Sequence, residues 1–307
     1  MSTGGRPERG DLPTERANAA TVELGRLARE DAAAAVDLFL AADATIVAAV
    51  AAARAEVAAA VELVAARLAA GGRLFYVGAG TSGRLGLLDA VECPPTFQSP
   101  PDMVQAVLAG GDGAFLRSVE GAEDDPEAAG VELAARGLCD RDVVFGIAAG
   151  GTTPFVHGAI EAARGVGAGS IFFACVPAER VPDRADLSIR VVTGPEVLAG
   201  STRLKAGTAT KLVLNAVSTL VMARLGKVHQ NRMVDVNTRS NAKLVERGRD
   251  LVAELAGCDG DEAAELLEAA GGQVKLAVVM GALGLDAGQA AGRLEASGGY
   301  LDRALEA

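Results

Sequence analysis

The stretch Arg73 to Phe97, RLFYVGAGTSGRLGLLDAVECPPTF, constrains the fold of this chain more than any other. Leu74-Phe75-Tyr76-Val77 is a continuous apolar run of strand length. Gly78, Gly80 and Gly83 let the backbone turn sharply into a helix predicted to open at Ser82. Amide groups at such a helix start face outward with partial positive charge and bind anions, phosphate above all. Thr81 and Ser82 add two hydroxyls at that place. Glu92 is expected to end the helix just before Pro94-Pro95, so a phosphate cradle and a carboxylate stand one short helix apart.

Two plainer readings stand beside this one. Gly78 to Gly83 also fits the G-x-G-x-x-G pattern of dinucleotide folds, which should place an acid about 20 positions on, at the end of a second strand. The residue in range is Asp102, behind Pro100-Pro101, where a loop is expected. The glycines could also mark a tight turn that binds nothing.

The rest of the chain repeats the design. Ala17 to about Ala70 has larger apolar residues at three- and four-residue steps and predicts helices that lead into the first strand. Met103 to Leu108 predicts a second strand, followed by the acidic run in VEGAEDD. Val143 to Ala149 predicts a third strand, and Gly150-Gly151-Thr152-Thr153-Pro154 turns it into another helix. Ile171 to Cys175 and Leu187 to Val192 supply two more. The predicted fold is α/β, a doubly wound, mostly parallel five-stranded sheet with N-terminal helices and a small C-terminal helical region. Its ligand crevice would lie at the carboxyl ends of the strands.

Gly200-Ser201-Thr202-Arg203-Leu204-Lys205 then opens a long helix reaching about Leu225. The helix dipole disfavours Arg203 and Lys205 at that end, and a bound anion would resolve the conflict. From Lys243 onward the pattern is helical again, broken at Gly257 to Gly260, Gly271-Gly272, Gly284 and Gly298-Gly299. The expected division is 1–56 as a helical arm, 57–240 as the sheet domain and 241–307 as a helical cap or pairing element.

Composition narrows the function. With 50% hydrophobic residues among 307 the chain can bury a large core, and its net charge of -11 argues against nucleic acid or an anionic membrane as partner. Cys93, Cys139, Cys175 and Cys258 are scattered, and His157 and His229 have no partner at metal-ligand spacing. No metal is assigned. The start lacks the apolar run of a signal peptide, and no later run is read as free of charge for long enough to cross a bilayer. A cytoplasmic protein without membrane contact is expected.

With these residues in view, the chain resembles the N-acetylmuramic acid 6-phosphate etherases, a branch of the sugar-isomerase (SIS) fold that includes the glucokinase regulatory proteins. The matching runs are GAGTSGRLGLLDAVECPPTF, VEGAEDD, GSTRLKAGTATKLVLNAVSTL and MVDVN. The resemblance implies a homodimeric, cytoplasmic enzyme, without metal or cofactor, that cuts the lactyl ether of a small-molecule sugar phosphate to give N-acetylglucosamine 6-phosphate and D-lactate. It implies Glu92 as acid/base at the ether oxygen and Glu123 as the second carboxylate. Thr81, Ser82, Thr202 and Arg203 would contact the phosphate; Gly80, Gly83, Gly150, Thr152, Thr153, Ser201 and Lys205 complete the candidate site. Where the etherases have Ser-Gly-Arg-Thr-Pro, this chain has Gly150 to Pro154, losing a serine hydroxyl and a guanidinium. A SIS-fold sugar-phosphate isomerase and a non-catalytic sugar-phosphate sensor remain as alternatives. Apolar neighbours and the helix C-terminus should favour the protonated form of Glu92, whereas Glu123 is expected in a wetter loop.

Overall fold

The computed structural model describes residues 12–236, 238 and 242–306. Asn237 of MVDVN and the expected boundary at 240/241 lie outside them. The core is a five-stranded parallel sheet of order β2-β1-β3-β4-β5, built from β1 (Leu74–Gly78), β2 (Val104–Leu108), β3 (Val143–Ile147), β4 (Gly169–Ala174) and β5 (Leu187–Arg190). The strands β1, β3 and β4 are buried along their whole length, as their nearly unbroken apolar sequences require of a sheet covered on both faces.

Helices α1 (Leu24–Glu30), α2 (Ala32–Asp43), α3 (Ile46–Ala52) and α4 (Arg54–Ala69) precede β1, and α5 (Gly80–Phe97), α6 (Ala128–Ala135) and α7 (Pro154–Val166) connect the strands. Side chains alternate across the sheet. Phe75, Val77, Val144 and Phe172 meet Phe155, Val156, Ala159 and Ile160 of α7 in one cluster. Tyr76 faces the other way, where Gly86 of α5 comes so close that a Cβ there would stand 2.8 Å from the Tyr76 Cβ.

Helix α8 (Lys205–Arg224) leads to a short hairpin of β6 (Val228–His229) and β7 (Arg232–Met233), then to α9 (Ala242–Ala256), α10 (Gly260–Ala269), α11 (Val274–Leu283), α12 (Ala287–Ala296) and α13 (Leu301–Glu306). The breaks between the last five fall at the predicted glycines. The chain divides into two compact units: residues up to Ala90 with Asp102–Val217, and Val91–Pro101 with the residues from Ser218 on. The second has its own core, including Val252, Leu267, Ala277, Val279, Ala290 and Leu301.

One expectation is corrected. Helix α5 does not end at Glu92 but runs through Pro94 and Pro95 to Phe97. A proline removes its own N–H and no other, so the donors of Thr96 and Phe97 still close the last turn. Two helical stretches, Ala32–Ala52 and Lys205–Arg224, are long and apolar enough to cross a membrane by length and composition. Asp37 and Asp43 interrupt the first without lowering its average enough. More than half of the second is buried within the protein, whereas only 11% of the first is.

Candidate functional site

In an open parallel sheet the ligand crevice lies where strand order reverses. Here β1 has β2 on one side and β3 on the other, and the turns after β1 and β3 leave from the paired ends Gly78 and Ile147. The first turn is very tight. A Cβ at Gly83 would stand 2.5 Å from the Gly78 carbonyl oxygen, which leaves no room for a side chain there, and Gly80 takes φ +52°, the left-handed region that favours glycine. Thr81 and Ser82 are half-buried in the first turn of α5, which contains no acid. Arg84 donates to the carbonyls of Ala114 and Phe115 and ties the helix to the loop after β2.

The second turn is fixed differently. Gly151 takes φ +78°, and the His157 ring N–H, one turn into α7, donates to the Gly151 carbonyl at 2.7 Å while the ring stacks on Phe172 at 5.0 Å. Gly150 has open space where a side chain would be, and Thr152 and Thr153 are half-buried.

Glu123 lies in a single 3-10 turn, Ala122–Asp124, entered through Gly121 at φ +76°. The segment rests on α7. A Cβ at Gly158 would stand 1.7 Å from the Pro126 carbonyl oxygen, so glycine at 158 is the condition for that packing. Glu123 is half-buried and Glu92 exposed, which reverses the expected order of their environments.

The third helix start holds a surprise. The carboxylate of Glu196, fully buried, accepts from the amides of Lys205 at 2.8 Å and Ala206 at 3.0 Å. The anion that the basic start of α8 calls for is therefore supplied by the chain. Burial pushes the Glu196 carboxyl above its ordinary range, against the pull of those two amides and the Lys205 charge. The Lys205 ammonium is buried too and donates to the Thr193 and Pro195 carbonyls, so it serves this turn from within. Ser201 and Thr202 are half-buried and Arg203 exposed. A Cβ at Gly207 would be 3.6 Å from both the Thr81 methyl and the Thr202 carbonyl, which brings the starts of α5 and α8 together.

A strap from the N-terminal segment fixes the turn before α8. Thr14 is fully buried and its carbonyl accepts from the Gly200 amide at 3.0 Å; the Thr21 hydroxyl donates to Val197 at 2.8 Å, and Asn18 reaches Pro195 at 3.5 Å. Glu196, His157 and Gly158 were not singled out as site residues in the sequence. The signals were faint: a lone acid in an apolar stretch, a histidine one turn after Thr153, and a glycine inside a helix. Asp102 precedes β2 instead of ending it, so the acid that a dinucleotide fold requires is not at a strand end. Among the described residues no group of three or more His, Cys, Asp or Glu side chains could hold a metal ion.

Comparison with known proteins adds kinship to this geometry. The glucokinase regulatory protein N-terminal SIS domain family matches residues 56–164. An N-acetylmuramic acid 6-phosphate etherase from Gloeobacter violaceus is 55% identical over 89% of this chain and 88% of its own length. One from Thermosynechococcus vestitus is 53% identical over the same shares. Among solved structures, a phosphoheptose isomerase from Francisella tularensis is 17% identical, with a TM-score of 0.48 over 64% of this chain and 98% of its own.

Proposed function

Because the chain belongs to the N-acetylmuramic acid 6-phosphate etherase family, we propose that it is a carbon–oxygen lyase that cleaves the lactyl ether of N-acetylmuramate 6-phosphate in cell-wall sugar recycling. What carries this reading is kinship over 89% of the chain, with both motif carboxylates, Glu92 and Glu123, in place.

The phosphate lies against the first turn of α5, where outward amides and the hydroxyls of Thr81 and Ser82 donate to it. Gly80 and Gly83 shape that cradle, and Ser201, Thr202 and Arg203 close it from the neighbouring helix start. Gly150, Thr152 and Thr153 line the adjacent turn, and Lys205 supports the site from inside by holding Thr193 and Pro195. In the open-chain sugar the C2 proton is acidified by the aldehyde. Glu123 removes it, the C3–O bond breaks, and Glu92 protonates the departing lactate oxygen. Water then adds to the C2–C3 double bond at C3, giving N-acetylglucosamine 6-phosphate and D-lactate with no net redox change. Residues 57–240 form the sugar-phosphate domain in this reading, with 1–56 as an arm and 241–307 as a helical element. The enzyme is a cytoplasmic homodimer; the exposed apolar side chains of Val36, Leu40 and Val47 support pairing with a second copy.

Incubating the purified protein with N-acetylmuramate 6-phosphate should release D-lactate in step with N-acetylglucosamine 6-phosphate. Tight binding of the sugar phosphate with no lactate would overturn the lyase reading. In deuterium oxide, Glu92→Gln should still exchange the C2 proton but release lactate only at a small residual rate, and Glu123→Gln should lose both. The opposite pattern would reverse the two roles.

A further inference from the structure

We infer that Lys227, held by an Asp235 that also pairs with Lys275, is a positioning residue for Glu92. The inference rests on the reading of Glu92 as the acid at the ether oxygen. Within the second compact unit, two ammonium groups collect carbonyls at the ends of three helices. Lys227 donates to the carbonyl of Phe97, the last residue of α5, at 2.9 Å. Lys275 donates to Gly226, just past α8, at 3.2 Å and to Gly299, just past α12, at 2.9 Å. Asp235 bridges the two lysines, 3.2 Å from one and 3.0 Å from the other. All three side chains are less than one-fifth exposed, and they line a cavity of about 310 Å³ together with Gln98. Helix C-termini carry partial negative charge, so ammonium groups are the fitting partners.

The end of α5 has particular need of such an anchor. Pro94 and Pro95 bring no N–H, so the carbonyls of Ala90 and Val91, just before Glu92, lose their usual donors four residues on. The turn carrying Glu92 is therefore held less by its own ladder and more by the contacts of residues 97 and 98. These are the bond from Lys227 to Phe97 and that from the Gln98 side-chain amide to the Val236 carbonyl, with Gln98 itself at φ +47°. Both partners belong to the β6–β7 hairpin and its flanks. The pairing of Val228 with Met233, continued by the Val234 amide on the Lys227 carbonyl, sets Lys227 and Asp235 side by side at its base.

Lys227→Met keeps the length of the side chain and removes its charge and donors. Its kcat for lactate release is expected to fall about 10- to 100-fold, the cost of misplacing a reacting group by about 1 Å, with KM unchanged. Exchange of the C2 proton should persist in deuterium oxide, as in Glu92→Gln, and Lys227→Arg should restore most of the rate. Placed in the Glu92→Gln background, Lys227→Met should cost nothing further in residual rate. An equal loss in that background, a loss confined to KM or to thermal stability, or a loss of C2 exchange would overturn the inference. Full activity of Glu92→Gln alone would instead remove the reading beneath it. Should Lys227→Met fail to fold, Gln98→Ala removes the other anchor and must show the same loss of kcat and the same silence with Glu92→Gln.

Discussion

The starts of α5 and α8 carry the same kind of sequence, glycine followed by hydroxyl residues, yet they differ in what stands at them. At α8 the Glu196 carboxylate takes the amides of Lys205 and Ala206, and the helix is satisfied from within. At α5 the first turn contains no acid and presents the hydroxyls of Thr81 and Ser82 instead. A helix N-terminus is an anion site only where the chain has not already filled it. The difference favours α5 as the phosphate-binding element and leaves α8 to shape the wall beside it.

The largest effect that would test this contrast is expected of Gly83→Ala. Its methyl would meet the Gly78 carbonyl at 2.5 Å, and backbone on both sides must shift. Overpacking of this kind costs about 1–3 kcal/mol of stability, and distortion of the cradle should lower kcat/KM for lactate release about 100-fold. A variant with wild-type kinetics would mean that the turn is not the binding element.

Next comes Glu196→Ala, which strips acceptors from two buried amides and should cost about 2–3 kcal/mol in denaturant unfolding. Added acetate or phosphate should recover part of that loss by occupying the vacated place, and no recovery would break the claim that the carboxylate stands in for an anion. Two buried carboxylates also make the acid range informative. Burial raises the Glu196 carboxyl, so it contributes stability that is fully present below its unfolded value of about 4.3 and lost as pH rises through the folded one. Asp142 behaves in the opposite way. Burial pushes it up, but the hydrogen bond and charge of Arg73 with the Cys139 and Arg73 amides hold it below the ordinary range. Its contribution is present above about 3.9 and lost as pH falls through the folded value. Melting curves of Glu196→Gln and Asp142→Asn against pH should depart from wild type with opposite slopes.

Ser82→Ala should weaken apparent affinity for the phosphorylated sugar by about 1–2 kcal/mol, roughly 10-fold, with kcat little changed. Gly207→Ala is the smallest. Its methyl would reach Thr81 and Thr202 at 3.6 Å, ordinary contact distance, so stability should move by less than about 0.5 kcal/mol.

Much of the fold was legible in the sequence because buried parallel strands leave continuous apolar runs and helix breaks leave glycines, as at Gly271-Gly272 and Gly298-Gly299. Long-range partners left no such mark. The course of α5 through Pro94 and Pro95 is secured at Lys227 and Val236, far along the chain. The basic start of α8 suggests an external anion when read alone, since nothing in GPEV announces that its glutamate folds back onto the helix. The length of the apolar stretch from Ala32 to Ala52 is hidden in the sequence by two aspartates that break its run without offsetting its average.

The strap of Thr14, Asn18 and Thr21 has a consequence for how the protein is made. These residues leave the ribosome long before their partners at Pro195, Val197 and Gly200, which are about 180 positions later. Domains fold as they emerge, at about 5–20 residues per second, and contacts of such sequence separation close slowly. Strands β1 to β4 can therefore pair while the strap waits unengaged, and the turn that leads into α8 is completed only after the start of that helix has been synthesised.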